Sequence, residues 1–152
     1  MTELLAEQLK VLIYKDRTTL GRAAAGMAAA RIGELLQKQE VVNIIFAAAP
    51  SQNECLSTLS MENGIDWSKI NAFHMDEYVG LKSNASQRFG KFLDERIFKQ
   101  VPFNKVYYIN GEAENPEGEG ERYADLLKEF PADIVCMGIG ENTHIAFNDP
   151  HE

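Results

Sequence analysis

Residues 70–81 read INAFHMDEYVGL, an apolar run that ends abruptly in two adjacent carboxylates, an aromatic residue and a glycine. The run predicts a short buried strand that places Asp76 and Glu77 at its carboxyl end. Open α/β sheets bind their ligands at that edge. A second strand-like run ends in GIGENTHIAFNDP, residues 138–150. Two strand ends that carry Asp76 and His144 therefore form a candidate acid–base site.

Strand and helix patterns alternate along the chain. Apolar, β-branched runs predict strands at residues 11–14 (after a polar opening segment), 41–46, 70–75, 106–109 and 134–137. Apolar residues at three- and four-residue steps predict helices through Leu20 to Leu36, through Leu56 to about Met61, through Phe89 to Phe98, and from Pro116 through Leu127. We therefore expect an α/β fold, a parallel sheet with helices on both faces, in a single domain over residues 1–152.

Polar residues mark where these helices begin. Thr18 or Thr19 caps the first helix, Ser51 with Glu54 forms a capping box for the second, and Ser86 caps the third. The acidic stretch at residues 112–121 is typical of a solvated loop. Pro116 fits the first turn of the helix that follows.

Composition and charge limit the classes of partner. The net charge is −8 and no basic cluster occurs, which argues against nucleic acid or an anionic membrane as a partner. A small anionic ligand remains compatible, because backbone N–H groups can hold a phosphate whatever the global charge. The sequence contains neither a membrane-length apolar run nor a signal-peptide pattern, so we expect a cytoplasmic protein. Cys55 and Cys136 lack metal-ligand or redox spacing and are predicted to be reduced core residues.

The two strand ends carry residue types suited to proton transfer. Adjacent residues of a strand point to opposite sides, so only one of Asp76 and Glu77 faces a given pocket. A carboxylate beside apolar walls gains proton affinity, which suits a general base. His144 has Asn142 and Asp149 nearby, and an imidazole oriented by a carboxylate transfers protons near neutral pH. The histidines show no metal-ligand spacing, so we expect a metal-free site, although purely structural roles for these residues stay open here.

Two segments resemble the signatures of a known family. FHMDEYVGL at residues 73–81 and GIGENTHIAFNDP at residues 138–150 closely resemble the two signature segments of glucosamine-6-phosphate deaminases/isomerases. The resemblance covers essentially the whole chain, including the strand, small-residue loop and helix at residues 46–56. It implies a Rossmann-like domain without metal or organic cofactor, often assembled as a homo-oligomer. The family domain is longer than this chain, so we expect the chain to be the N-terminal part of such a domain.

The resemblance also implies an activity and roles for individual residues. Such a protein opens the ring of an aminosugar phosphate, moves a proton from C2 to C1 and releases ammonia, which leaves fructose 6-phosphate. Asp76 matches the base that takes the C2 proton, and His144 matches the residue that assists ring opening. Asn142 and Asp149 match its supporting residues. Contacts with the sugar phosphate are implied for Ala47, Ala48, Ala49, Ser51, Gln52, Glu77 and Gly140, with the loop at residues 47–51 as the phosphate cradle.

Three positions depart from the pattern of this family. Asn142 stands where an Asp is usual, and Thr143 replaces the usual Gly, which places a side chain where the backbone either approaches the substrate or takes a positive φ. Alanines 47–49 replace glycines and a hydroxyl. These departures leave two alternatives open. One is a hydrolase similar to 6-phosphogluconolactonases, which share this fold, and the other is a sugar-phosphate-binding protein without catalysis.

Overall fold

The computed structural model describes residues 1–150 as a mixed α/β chain. Its strands are β1 (Thr2–Ala6), β2 (Leu9–Ile13), β3 (Val42–Phe46), β4 (Ile70–His74), β5 (Lys105–Tyr107) and β6 (Ile134–Cys136). Its α-helices are α1 (Arg17–Leu36), α2 (Asn53–Ser60), α3 (Phe89–Leu93, continued by a π-helical turn at Asp94–Phe98) and α4 (Pro116–Glu129). Short 3₁₀ turns occur at Pro50–Gln52 and Trp67–Lys69. No helix within residues 1–150 is both long enough and apolar enough to cross a membrane.

The central sheet has four parallel strands in the order β5-β4-β3-β6. Phe46 at the end of β3 lies opposite His74 of β4 and Cys136 of β6. Val42, Ile44 and Phe46 are completely or almost completely buried, as expected for a strand with partners on both sides. The predicted α/β fold with a parallel sheet is confirmed.

Helices cover both faces of this sheet. On one face, Ile44 and Phe46 pack in a large core with side chains from α1, α2 and α3. On the other face, Phe73 of β4 stacks on Tyr107 with 4.6 Å between ring centroids, and Tyr123 of α4 meets Phe73 edge-on at 6.3 Å. The Tyr123 hydroxyl accepts a hydrogen bond from the His74 N–H (2.9 Å) and donates to the His74 carbonyl (2.7 Å), which ties α4 to the end of β4.

The order of the strands creates a switch point beside β3. The chain passes from β3 to β4 and β5 on one side and then returns to place β6 on the other side of β3. Two hydrogen bonds continue the ladder past the strand ends: Ala47 N–H to the Cys136 carbonyl (2.9 Å) and Met75 N–H to the Phe46 carbonyl (3.1 Å). The segments that follow β3, β4 and β6 thus leave the sheet at one edge, where open α/β folds bind ligands.

The N-terminal strands form a hairpin outside this sheet. β1 and β2 pair only with each other, in antiparallel register. The strand predicted at residues 11–14 is present as β2, but the opening segment interpreted as polar also forms a strand. Glu7 in the connecting turn has φ +53°, the left-handed conformation that two-residue hairpin turns use.

The first two helices begin differently from the predictions. Asp16, not Thr18 or Thr19, caps α1, because its carboxylate accepts hydrogen bonds from both the N–H and the hydroxyl of Thr19 at 2.7 Å. The capping box of Ser51 and Glu54 is absent. A 3₁₀ turn precedes α2, and the carboxylate of Glu54 binds the guanidinium of Arg17 at 2.8 Å instead.

The later helices show a similar difference. Ser86 does not cap α3, which begins at Phe89, and the carboxylate of Glu77 accepts the hydrogen bonds of its first N–H groups. Pro116 occupies the first turn of α4 as predicted, with Asn115 as its cap. The loop predicted over residues 112–121 therefore ends at Asn115.

The two cysteines are free thiols that pack beside the larger core, as predicted. Burial raises the pKa of the Cys55 thiol. Burial also raises the pKa of Cys136, to about 12, with a smaller contribution from Cys55. Both residues thus remain protonated and act as small apolar side chains.

The close packing of α1 on α2 makes Gly21 a sensitive position. A Cβ there would lie 2.5 Å from Cβ of Glu54, whereas a Cβ at Gly26 of the same helix has no neighbour within 4 Å. We expect Gly21→Ala to lower the free energy of unfolding by about 1–3 kcal/mol, because neither helix can move without disturbing the core. Gly26→Ala should raise it by up to about 1 kcal/mol, because alanine favours the helix. Urea unfolding followed by circular dichroism measures both, and similar effects at the two positions would contradict the packing described.

Candidate functional site

A cleft opens at the edge of the sheet where the switch point lies. Its walls come from the segments that follow β3, β4 and β6 and from the first residue of α3. The lining residues are Ala47, Ala48, Ala49, Ser51, Met75, Asp76, Phe89, Gly138, Ile139, Gly140, His144, Ala146 and Phe147. Most of the site residues expected from sequence thus share one cleft, although they come from three separate parts of the chain.

Asp76 stands two residues beyond the end of β4 and is partly buried. Its surroundings in the cleft include Met75, Phe89 and the alanines of the β3 loop (residues 47–51). Burial raises the pKa of Asp76, and the negative charge of the neighbouring Glu77 adds to the rise. A carboxylate with increased proton affinity in a largely apolar cleft has the property that a general base requires.

Glu77 does not face the cleft. Its side chain is completely buried, and its carboxylate accepts hydrogen bonds from the N–H groups of Tyr78 (3.0 Å), Phe89 (3.0 Å) and Gly90 (3.1 Å). Burial alone would raise the pKa of Glu77, but these N–H donors outweigh burial and the pKa is lowered. The structure gives no support to the substrate contact predicted for Glu77, because its buried carboxylate is engaged by donors of the protein and does not line the cleft.

His144 is held by a chain of polar contacts in the segment after β6, the His144 loop (residues 138–150). Its Nδ1 lies 2.6 Å from Oδ1 of Asn142, and Nδ2 of Asn142 donates to Oδ1 of Asp149 at 3.0 Å. Because the Asp149 carboxylate only accepts, it turns the amide nitrogen of Asn142 towards itself and the amide oxygen towards His144. Nδ1 of a neutral His144 therefore carries the proton, which leaves Nε2 as the acceptor. Asn142 and Asp149 do not line the cleft and contact the imidazole from behind.

The imidazole lies directly against Gly140. A Cβ on Gly140 would be 2.1–2.4 Å from three atoms of the ring, so only glycine permits this contact. The turn that follows is left-handed at two residues without being glycine: Thr143 has φ +68° and Ala146 has φ +54°. The expectation that Thr143 occupies a position favourable to glycine is confirmed.

The β3 loop presents backbone donors at the other side of the cleft. Within residues 1–150, the N–H groups of Ala48, Ala49 and Ser51 have no hydrogen-bond acceptor. They precede α2 and are free for an anion, which is the usual use of such positions. Gln52 does not line the cleft, contrary to prediction. Its side chain is buried behind the cleft, where Nε2 would lie 3.4 Å from a Cβ on Gly138.

Three aromatic side chains join the walls of the cleft, and the sequence did not reveal this cluster. The ring centroids are 4.7 Å apart for Tyr78 and Phe89, 5.9 Å for Phe89 and Phe147, and 5.8 Å for Tyr78 and Phe147. Tyr78 follows the two acids, and Phe147 belongs to the His144 loop. The presence of one aromatic residue in each signature segment was the sequence signal that could have predicted this cluster. Phe89 had no distinguishing signal, because it continues the apolar pattern of its helix.

The arrangement combines an acid–base pair with anion donors. Asp76 has raised proton affinity, Nε2 of His144 is available as an acceptor, and the β3 loop offers free N–H groups. Within the described part of the chain, no group of three or more His, Cys, Asp or Glu side chains is placed to hold a metal ion. These groups are suited to proton transfer on a small anionic substrate.

Comparison with known proteins agrees with these observations. Residues 15–147 match the family of glucosamine-6-phosphate isomerases/6-phosphogluconolactonase. The chain belongs to this family. A glucosamine-6-phosphate deaminase of Lactobacillus delbrueckii subsp. bulgaricus is 29% identical over 142 residues, which cover 93% of this chain and 58% of the relative. One of Staphylococcus epidermidis is 42% identical over 99 residues, which cover 62% of this chain and 41% of the relative.

Solved structures of the family share the fold. A monomeric glucosamine-6-phosphate deaminase superposes with a TM-score of 0.83 at 25% sequence identity, over 93% of this chain and 60% of that protein. The 6-phosphogluconolactonase of Thermotoga maritima superposes with a TM-score of 0.77 at 17% identity, over 90% of this chain and 62% of that protein. The chain thus spans about 60% of the length of these structures.

The raised pKa of Asp76 has a consequence for stability. A carboxyl with a higher pKa in the folded chain stabilises the fold below the unfolded pKa of about 3.9 and loses that contribution as pH rises through the folded pKa. We therefore expect Asp76→Asn to become more stable relative to wild type as pH rises from 4 to 7. The unfolding free energy of the variant minus that of the wild type should increase over this range.

Asp66→Asn is the control of opposite sign, because a hydrogen bond from the Ser68 hydroxyl lowers the pKa of Asp66. Urea unfolding at several pH values measures both variants. If the unfolding free energy of Asp76→Asn minus that of wild type decreases as pH rises, the ionised Asp76 carboxylate of the wild type is not destabilised in the cleft.

Gly140→Ala tests the contact between the His144 loop and its imidazole. The added methyl group occupies the position of the ring, so we expect His144 to lose its hydrogen bond with Asn142. Imidazole ¹⁵N chemical shifts should change from one fixed tautomer to an average of two. Gly120→Ala, at a position with open space in α4, should leave the shifts as in wild type. An unchanged His144 spectrum in Gly140→Ala would contradict the geometry of the loop.

Proposed function

We propose that this protein is a deaminase/isomerase that converts glucosamine 6-phosphate, or a related aminosugar phosphate, into fructose 6-phosphate and ammonia. Membership of the family supports this reaction class, and so do deaminase relatives along most of the chain. The observation that carries the proposal is the shared cleft of Asp76, His144 and the β3 loop. A base, a proton-transfer imidazole and an anion site are the three parts that the reaction needs.

The β3 loop binds the phosphate group in this proposal. The free N–H groups of Ala48, Ala49 and Ser51 donate to phosphate oxygens, and the Ser51 hydroxyl adds a donor. Alanine serves here because the donors belong to the backbone. The phosphate thereby anchors one end of the sugar and directs its C1 and C2 atoms towards the strand ends.

His144 opens the sugar ring. Nε2 takes the proton of the C1 hydroxyl and returns it to the ring oxygen, so that the bond between C1 and the ring oxygen breaks and C1 becomes an aldehyde. The hydrogen bond between Nδ1 and Asn142 holds the imidazole in the tautomer that accepts at Nε2, and Asp149 fixes the amide of Asn142. These two residues position His144 without touching the substrate.

Asp76 then transfers a proton between two carbons of the open sugar. Its carboxylate takes the proton from C2, and the electrons of that bond form the double bond between C1 and C2 of an enolamine. The C1 oxygen gains a proton as it becomes a hydroxyl. Return of the first proton to C1, with loss of one proton from the nitrogen, gives an imine at C2, so the proton gained by the oxygen is balanced by the one that the amino group loses. Water adds to this imine and ammonia leaves, which yields the ketone of fructose 6-phosphate. The raised pKa of Asp76 favours the proton transfer to its carboxylate.

Asp76→Asn tests the assignment of the base. The amide cannot accept the C2 proton, so we expect ammonia release to fall by at least about 10²-fold. Binding of glucosamine 6-phosphate, measured by calorimetry, should persist because the β3 loop is unchanged. Ammonia release and binding are both measured on the purified protein. Most of the activity remaining in the variant would show that Asp76 is not the base.

A sugar-phosphate-binding protein without turnover is the second candidate. Three departures from the family pattern favour it: Asn142, Thr143 and the alanines at 47–49. Binding of glucosamine 6-phosphate without ammonia release would support this candidate. Hydrolysis of 6-phosphogluconolactone without ammonia release would instead support a lactonase.

A further inference from the structure

Glu77 connects the two walls of the cleft without entering it. We propose that Glu77 is a positioning residue whose buried carboxylate clamps the segment that carries Asp76 to the first turn of α3. The inference deepens the proposed function, because it names what sets the position of the proposed base. It replaces the substrate contact expected for Glu77 from sequence.

The contacts of the carboxylate reach both sides of the cleft. Glu77 directly follows Asp76 and accepts from the N–H of Tyr78, which fixes the chain immediately after the base. It also accepts from the N–H groups of Phe89 and Gly90 at the start of α3, and Phe89 lines the cleft together with Asp76. A change in the position of this one carboxylate therefore moves both walls.

The space around Glu77 is built to fit it. A Cβ on Gly90 would lie 3.4 Å from Oε2 of Glu77, and a Cβ on Gly111 would lie 3.1 Å from its Cγ and 2.3 Å from the carbonyl oxygen of Tyr78. The N–H of Gly80 donates to the carbonyl of Gly111 at 2.7 Å, which closes this side. Gly111, from a distant part of the chain, thus leaves a slot for the Glu77 side chain, whereas a Cβ on Gly90 would make only an ordinary van der Waals contact with the carboxylate.

The charges around the slot favour an ionised Glu77. Nε of Arg88 lies 3.3 Å from Oε2, and the first N–H groups of α3 present the positive end of a helix. The other ionisable groups nearby are Asp76 on the same segment and His74 at the end of β4, with Asp94 of the π-helical turn acting on His74. Arg88 and the N–H donors together offset the repulsion between Glu77 and Asp76.

His74 forms the floor of the slot and remains neutral. Burial lowers its pKa to about 4, although the charge of Glu77 acts in the opposite direction. Nδ1 accepts from the N–H of Ile109 at 3.5 Å, so Nε2 carries the proton and lies 3.8 Å from Oε2 of Glu77. This distance is too long for a hydrogen bond, and within residues 1–150 Nε2 is the buried side-chain polar atom that has no partner. The N–H dipole therefore faces the carboxylate without competing for its hydrogen bonds.

The clamp also reaches the His144 loop. Tyr78 and Phe89 donate their N–H groups to Glu77, and their rings contact Phe147 of that loop, Phe89 by stacking and Tyr78 in a tilted arrangement. Glu77 thus sets the spacing between the segment of Asp76 and the segment of His144, through backbone hydrogen bonds on one side and aromatic contacts on the other. Proton transfer depends on such spacing.

Glu77→Gln is the decisive variant because it keeps the size and removes the charge. One oxygen becomes an NH₂ group that opposes the N–H of Phe89 or Gly90. We expect hydrogen exchange of these two amides to become at least about tenfold faster. We also expect the titration midpoint of the Asp76 carboxyl, followed by ¹³C NMR, to move to lower pH, because the neighbouring negative charge is gone.

Two further variants separate charge from geometry. Glu77→Asp keeps the charge on a side chain that is one methylene shorter, so the amides should exchange faster while the Asp76 midpoint moves less than in Glu77→Gln. Glu121→Gln, at an exposed position of α4, should change neither quantity. If the Phe89 and Gly90 amides of Glu77→Gln exchange faster but the titration midpoint of Asp76 does not move, Glu77 only caps α3. That result would overturn the proposal that Glu77 positions the base. Unchanged amides would overturn the clamp itself.

A measurement on the wild-type chain covers the case in which Glu77→Gln does not fold. The Glu77 carboxyl should titrate below its ordinary pKa, as expected for a carboxylate held by N–H donors. Titration at or above that value would overturn the proposal. None of these readouts requires turnover. A failure to bind or convert aminosugar phosphates would therefore count against the proposed function alone, and the NMR results would decide the clamp separately.

Discussion

Parallel pairing of β3 with β4 and β6 is the constraint on which the rest of this structure depends. Strands that run in one direction deliver their following segments to one edge, and the return of the chain across β3 opens a crevice there. The register is fixed because both faces are buried: Ile44 and Phe46 belong to one core and Phe73 to the other. A slip by one residue would exchange these faces and separate the groups that now share the cleft.

Two adjacent acids acquire opposite properties at this edge. Asp76 lies among apolar side chains and has a raised pKa, whereas Glu77 is buried but accepts hydrogen bonds from three backbone N–H groups, so its pKa is lowered. Burial by itself would raise both pKa values. The N–H donors around Glu77 cause the difference between the two pKa values. Different surroundings thus give two neighbouring carboxyl groups different chemical roles.

The cleft relies on backbone atoms and on short polar chains more than on charged side chains. The β3 loop offers N–H groups that alanine supplies as well as glycine does, and Asp149 acts on His144 through the amide of Asn142. Where the backbone comes closest to a side chain, at Gly140, only glycine fits. Asn142 thus keeps a hydrogen bond to His144, and Ala48 and Ala49 keep backbone N–H groups that have no acceptor within residues 1–150, whereas Thr143 takes a left-handed conformation that favours glycine.

The sequence by itself determined the alternation of strands and helices, the two strand ends that carry Asp76 and His144, and the family. Apolar periodicity and adjacent motif residues are local properties, so they can be detected along the chain. Tertiary structure alone decided that Glu77 turns away from the cleft and caps α3, that Gln52 lies behind the site, and that Tyr78, Phe89 and Phe147 meet. Ser51 and Ser86 had the right chemistry for caps, but Glu54 pairs with Arg17 and Glu77 reaches Phe89 from another element. Those contacts join residues that are distant in sequence, and no local pattern records which of several suitable donors or acceptors the folded chain brings into reach.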